Sequence, residues 1–171
     1  KTVLHEIIEI CIIIEHGQNV ERFETKIKPK NLSSASLEAL KINGYNPKEW
    51  STAPGFDEVA TEIHRRITGP DKIIIGHNPL FDMDFLEEHL FKVGLTLGRI
   101  RTFDTAALAY EHLYDLGLKS MSLSKIRTFL QWDTEGEHRA GKDCDDTRAL
   151  FNLLFQIPWW KKLFLWLKLK L

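Results

Sequence analysis

The stretch that most constrains this chain is Ile73-Ile74-Ile75-Gly76-His77-Asn78-Pro79-Leu80-Phe81-Asp82-Met83-Asp84-Phe85-Leu86. An isoleucine run opening at Lys72 reads as a buried strand. Gly76 supplies a turn, and a helix follows with Pro79 at its first position, where a missing N–H costs nothing, and Asn78 placed to cap it. A strand, a tight turn and a helix in that order point to an α/β unit. At helical spacing Asp82 shares a face with Phe85, Leu86 and His89, while Asp84, Glu87 and Glu88 fall mostly elsewhere. A carboxylate on a stripe otherwise meant for the core is costly unless something cationic or hydrogen-bonding receives it. The plain alternative is that Asp82 favours the helix dipole or bonds to a nearby N–H.

A second carboxylate of the same kind stands far downstream. In Glu137-His138-Arg139-Ala140-Gly141-Lys142-Asp143-Cys144-Asp145-Asp146-Thr147 a helical pattern puts Asp143 and Thr147 in line with Leu150 and Leu154. His138 precedes Asp143 by five positions.

These residues resemble the DnaQ-type exonucleases of the RNase H-like superfamily, in their histidine variant. Asn78, Phe81, Asp82, Phe85 and Leu86 match the family's second motif, and His138, Ala140 and Asp143 its third. Phe103-Asp104-Thr105-Ala106-Ala107-Leu108-Ala109 looks like its strand-to-helix element, and Lys119-Ser120-Met121-Ser122-Leu123 like the start of its next helix. The resemblance covers nearly the whole chain. It implies an α/β fold with an RNase H-like mixed sheet flanked by helices, and a metal-dependent 3′-to-5′ exonuclease acting on single-stranded DNA or RNA ends. It further implies Asp82 and Asp143 as ligands of a two-metal Mg²⁺ or Mn²⁺ site, with His138 as general base. Hard oxygen ligands suit those ions, and an imidazole of ordinary pKa near 6.5 can accept a proton near neutrality. A histidine beside an arginine on a loop is otherwise plain surface. Asn78 would orient substrate or brace the turn. Asp104, where a strand meets a helix, would cap the helix beginning at Thr105 or support the site from behind.

The family's first motif, Asp-x-Glu on the first strand, has no match. It should lie upstream of His5-Glu6-Ile7-Ile8-Glu9-Ile10, which looks like the family's second strand. That first strand is central, and its loss would leave neighbours with unpaired backbone groups. The expectation is a shortened version of a longer protein, with the leucine-alternating tail or a second chain as other ways to fill the gap. Without those carboxylates metal binding would be poor and hydrolysis very slow. The rival reading is therefore a non-catalytic nucleic-acid or protein-binding module with a degenerate exonuclease fold.

The remainder fits one domain. Glu6 to Ile14 reads as a strand buried on both faces and Val20 to Ile27 as an outer strand, joined by a hairpin at His16-Gly17-Gln18-Asn19. Ser33 to Ser36 offer caps for a short helix ending near Asn43-Gly44. Further helices are expected over about 56–67, 105–113 and 122–130, with a strand over 99–103. Residues 1–157 would form the exonuclease domain lacking its first strand, and 158–171 an apolar, lysine-containing tail that closes the core, docks a partner or lies on a membrane surface. Among 171 residues 43% are hydrophobic and 27% charged, as in a globular protein. The net charge of −1 gives no general attraction for nucleic acid, so any such site relies on local charge and metal. Two cysteines suggest no disulfide framework, and a reducing, cytoplasmic setting is the default. No apolar run reaches the ~18 residues of a membrane span. Partners implied are single-stranded 3′ ends and a polymerase or other protein.

Overall fold

A computed structural model describes residues 5–155; the tail 158–171 lies outside them. The first element is the hairpin of β1 (Glu9–His16) and β2 (Asn19–Lys26), antiparallel with Cys11 opposite Glu24 and Ile13 opposite Arg22. A single 3-10 turn leads to α1 (Leu37–Ile42), capped by Ser36, whose side chain accepts from Ala39 N, and to a four-residue helix α2 (Pro47–Trp50). The latter is new relative to the sequence reading. Its signal, Asn46 before Pro47, is the same cap-then-proline start used elsewhere in the chain.

Next come α3 (Phe56–Ile67), β3 (Ile73–Gly76), α4 (Pro79–Lys92), β4 (Arg101–Asp104), α5 (Thr105–Leu113), α6 (Leu123–Leu130) and α7 (Ala140–Phe155). β3 and β4 run parallel with Gly76 opposite Asp104, so both strands end at the same edge, each feeding a helix. The Gly76 turn is tight: a Cβ there would meet Pro79 Cβ at 2.7 Å.

One mixed sheet was expected, and among the described residues it comes in two pieces, β1-β2 and β3-β4. α7 lies against both β1 and β3, which places the pieces side by side under one helix. Their facing edges have no described partner. The isoleucine strands are accordingly less sequestered than a both-faces-buried reading requires: β1 is half-buried, and Ile73 and Ile75 are 57% and 41% exposed. A strand covered on both faces needs neighbours on both edges.

Two apolar clusters hold the layers. Ile27, Phe56, Ala60, Ile63, Ile67, Leu86, Leu90 and Leu97 join β2, α3 and α4, with Ile10, Ile12 and Ile74 reaching in from the strands. Ala109, Leu113, Leu118, Ile126, Leu150 and Leu154 join α5, α6 and α7 on the other side. Trp50 is fully buried and donates its indole N–H to Ile8 O at 2.6 Å, which pins α2 under the hairpin.

Candidate active site

The site is built where β3 and β4 end and α4 and α7 begin. Asp104 does two jobs there. One carboxylate oxygen, Oδ1, accepts from Ala106 N at 2.8 Å, capping α5, and from Asn78 N at 2.9 Å, tying the neighbouring turn to the same point. His77 completes the brace. Its Nε2 donates to Met121 O at 2.6 Å, its Nδ1 lies 3.0 Å from Thr105 Oγ1, and burial pushes its pKa down.

Asn78 stands at the position before α4, yet its side chain makes no cap bond. Its backbone is left-handed (φ 61°), because the following proline disfavours the helical region and asparagine tolerates this one. The side-chain cap expected of Asn78 is thus replaced by a backbone role, with the amide free to face solvent.

Asp82, in the first turn of α4, has open surface, but the crowding around its carboxyl penalises charge. Burial first, and then the negative charge of Asp143, push its pKa up to about 6. Two carboxylates from helices far apart in the chain therefore lie within electrostatic reach of each other. Leu80 and Phe81, 65% and 60% exposed, flank Asp82 as an open apolar surface.

Asp143 is held by Arg127, which did not stand out in the sequence, and by the backbone of His138, which did. Its Oδ1 accepts from Arg127 Nη2 at 2.5 Å and from His138 N at 3.2 Å, so it binds back to the loop ahead of its own helix. Arg127, on α6, is 1% exposed; its Nε donates to Asp146 Oδ2 at 2.7 Å, and Lys142 adds a bond to Asp146. Burial works against the guanidinium, but Asp146 and Asp143 hold its pKa above the usual value. Asp146, 7% exposed, is thus the more deeply buried acid of α7, and Asp143 sits at the rim. The helical projection had placed Asp143 at the head of the core stripe.

The loop carrying His138 is anchored by Glu9. Burial opposes its charge, but Arg139 and the Ala140 amide hold the Glu9 carboxyl below the usual range; Arg139 Nη2 donates at 2.8 Å and Ala140 N at 3.1 Å. Arg139 also lies over the Trp50 ring at 5.5 Å. His138 itself has a left-handed backbone (φ 67°), and its Nε2 lies 3.3 Å from Glu137 Oε1. Its backbone therefore belongs to the site, while its ring turns to Glu137.

Asp82 and Asp143 are donors of the type a hard divalent cation prefers. They do not complete a metal site alone: among the described residues no group of three His, Cys, Asp or Glu side chains could hold one, and Asp143 is already paired to Arg127.

The exonuclease family model RNase_T matches residues 1–151. The chain belongs to the exonuclease family. It is 29% identical over 159 residues to the 3′-5′ exonuclease DinG of Bacillus subtilis, covering 90% of this chain and 16% of that protein. It is 34% identical over 148 residues to the PolC-type DNA polymerase III of Thermotoga maritima, covering 85% of this chain and 10% of the polymerase. This exonuclease domain thus spans a small fraction of the curated relatives it matches. Among solved structures it superimposes on a 3′-exonuclease described in 3′-end recognition of a histone mRNA stem-loop (TM-score 0.58, 16% identity, 90% of this chain and 74% of that one). It also superimposes on E. coli exonuclease I with a dA13 oligonucleotide (TM-score 0.56, 19% identity, 80% and 34%). Those likenesses show the fold, an RNase H-like exonuclease fold. Among the described residues no helix is long and apolar enough to cross a membrane.

Proposed function

We propose that this exonuclease-family domain trims single-stranded DNA or RNA from the 3′ end, dependent on Mg²⁺ or Mn²⁺, in the cytoplasm and in company with a polymerase or other partner. The observation that carries the proposal is the convergence of Asp82 and Asp143, whose mutual repulsion helps raise the Asp82 pKa to about 6. Two acids kept close, with Arg127 balancing Asp143 alone, leave a negative charge at Asp82 that a divalent ion would relieve. In this reading Asp82 and Asp143 would be ligands, and a strand carrying Asp-x-Glu, from outside the described residues, would complete the set between β1 and β3. When bound, the ions would supply positive charge for the attacking and leaving oxygens.

The chain's own residues set the rest. Arg127 and the His138 amide fix the Asp143 carboxylate; Glu9 and Trp50 hold the loop from which the His138 imidazole would swing from Glu137 to take a proton from water. Phe81 offers an exposed ring face beside Asp82, suited to stacking on a terminal base, which favours a single-stranded end over a duplex. The absence of a three-group metal cluster among the described residues favours a second reading, a binding module that does no hydrolysis.

The test uses 5′-labelled single-stranded DNA and RNA with and without Mg²⁺ or Mn²⁺, for this chain and for one with an Asp-x-Glu strand placed ahead of residue 5. Stepwise 3′ shortening is expected, stronger in the extended chain, and lost by at least about 100-fold in Asp82→Asn and Asp143→Asn, as for removal of an electrostatic catalytic group. Undiminished shortening in both variants would overturn the assignment. Oligonucleotide binding without cleavage in either chain selects the binding module.

A further inference from the structure

The side of β1 that faces α7 carries a row of matched pairs. Glu9, Cys11, Ile13 and Glu15 alternate along the strand and so point to one face. Ala140, Cys144 and Arg148 recur every fourth position of α7 and so share one helical stripe. Four helical residues advance about 6 Å and two strand residues about 6.6 Å, so the rows keep step. At one end Glu9 accepts from Ala140 N at 3.1 Å; at the other Glu15 accepts from Arg148 Nε at 2.5 Å. Between them Cys11 and Cys144 occupy the matching middle positions of the two rows, so that the two cysteines face each other.

The flank is fastened as well. Arg22 donates to Glu24, the residue across the ladder from Cys11, and to Asp145, the residue after Cys144, each at 2.7 Å. Helix and hairpin approach so closely that a Cβ on Gly141 would collide with the Glu24 carboxylate. Both thiols remain partly exposed, and both are free. Nothing in the proposed trimming reaction uses them.

We propose that Cys11 and Cys144 form a reversible disulfide that staples α7 to β1 when the protein meets a low-molecular-weight disulfide. One thiol, as thiolate, attacks that compound and expels one of its halves as a thiolate, leaving a mixed disulfide on the protein. The other cysteine loses its proton and attacks the protein-bound sulfur, so the Cys11–Cys144 bond forms and the second half leaves. Two protein thiols are oxidised, and one small disulfide is reduced to two thiols. With the pairs on either side already in contact, Glu9 with Ala140 and Glu15 with Arg148, side-chain rotation can bridge the two cysteines at low cost in native geometry. The staple fixes the helical turn that presents Asp143, the residue before Cys144. The proposal stands apart from the nuclease reading, because its test needs no substrate and no metal.

The whole chain is incubated with excess oxidised glutathione, quenched with an alkylating agent and weighed intact. The expected product is monomeric on a non-reducing gel, lighter by two hydrogens, without alkyl or glutathione adducts. Its Tm is raised by roughly 10 °C, because the cross-link closes a very long loop, and dithiothreitol reverses both changes. Cys11→Ser and Cys144→Ser each keep one glutathione adduct and show no such rise. Persistent glutathione adducts, full alkylation or disulfide-linked dimers in the unsubstituted chain would overturn the proposal.

Discussion

The two sides of the sheet solve the same packing problem with different materials. On the α3/α4 side the buried residues are almost all aliphatic or aromatic, from Ile27 through Ile63 to Leu97. On the α5–α7 side a comparable apolar cluster shares its interior with Arg127 and Asp146, at 1% and 7% exposure. Stability alone does not ask for the second solution, since a buried ion pair replaced by well-packed apolar groups is often neutral or better. What the charges add is direction. Arg127 reaches Asp146 and Asp143 at once and so sets where the rim carboxylate of α7 stands relative to Asp82. The apolar side makes the domain fold, and the charged side aims its acids.

That contrast can be broken at named residues. Arg127→Met should be the costliest, about 4 kcal/mol, because it leaves buried Asp146 with Lys142 alone and strips Asp143 of its guanidinium; urea unfolding measures it. The double variant Arg127→Met, Asp146→Leu should recover most of the loss, whereas a cluster that merely needed volume would show no such recovery. Leu90→Ala, fully buried on the apolar side, should cost about 3 kcal/mol through transfer and cavity terms alone and should leave any charge-dependent property of the site unchanged. Glu9→Gln should cost about 2 kcal/mol by weakening the charge-assisted bonds from Arg139. Amide exchange around residues 136–140 should speed up in that variant, and unchanged protection would show that Glu9 does not hold the loop.

Periodicity read the apolar side well. The α3 stripe of Phe56, Ala60, Ile63 and Ile67 gave its helix within a residue or so, because the local pattern agreed with its burial, and the β3 isoleucines gave the strand ahead of Gly76 although Ile73 and Ile75 are exposed. The charged side was legible only in part. Asp82, Asp143 and His138 stood out through a family motif and through carboxylates on apolar stripes. Arg127 did not, because an arginine in an amphipathic helix reads as solvent-facing until the acids that receive it are seen across two other elements. Glu9 was hidden for the opposite reason: inside an isoleucine run it looks like an outward-facing strand residue, and only the fold brings Ala140 N and Arg139 to it. Trp50 belonged to a helix too short to show a period. Long-range pairing carries no local signature, and this site is made of it.

The smallest expected effect bears on Asp82, and it has a sign that separates a core role from a site role. With a folded pKa of about 6 against 3.8 for an ordinary aspartate, the native state holds this proton more tightly than the unfolded chain. Its contribution to stability is then full below pH 4 and is lost as the pH rises through 6, so at neutrality the ionised carboxylate is a standing penalty. The difference between 6 and 3.8 would correspond to roughly 3 kcal/mol in a sealed interior, and open surface at Asp82 reduces it to about 1 kcal/mol. Asp82→Asn cannot ionise. In chelator-treated protein it should therefore be more stable than the parent by about 1 kcal/mol at pH 7.5, equal to it near pH 4, and lack the slope between. A destabilised variant with the slope intact would make Asp82 a hydrogen-bonded cap of α4, and its nearness to Asp143 incidental. A stabilised one would mean that the chain keeps, at a cost to its own fold, an acid facing another acid.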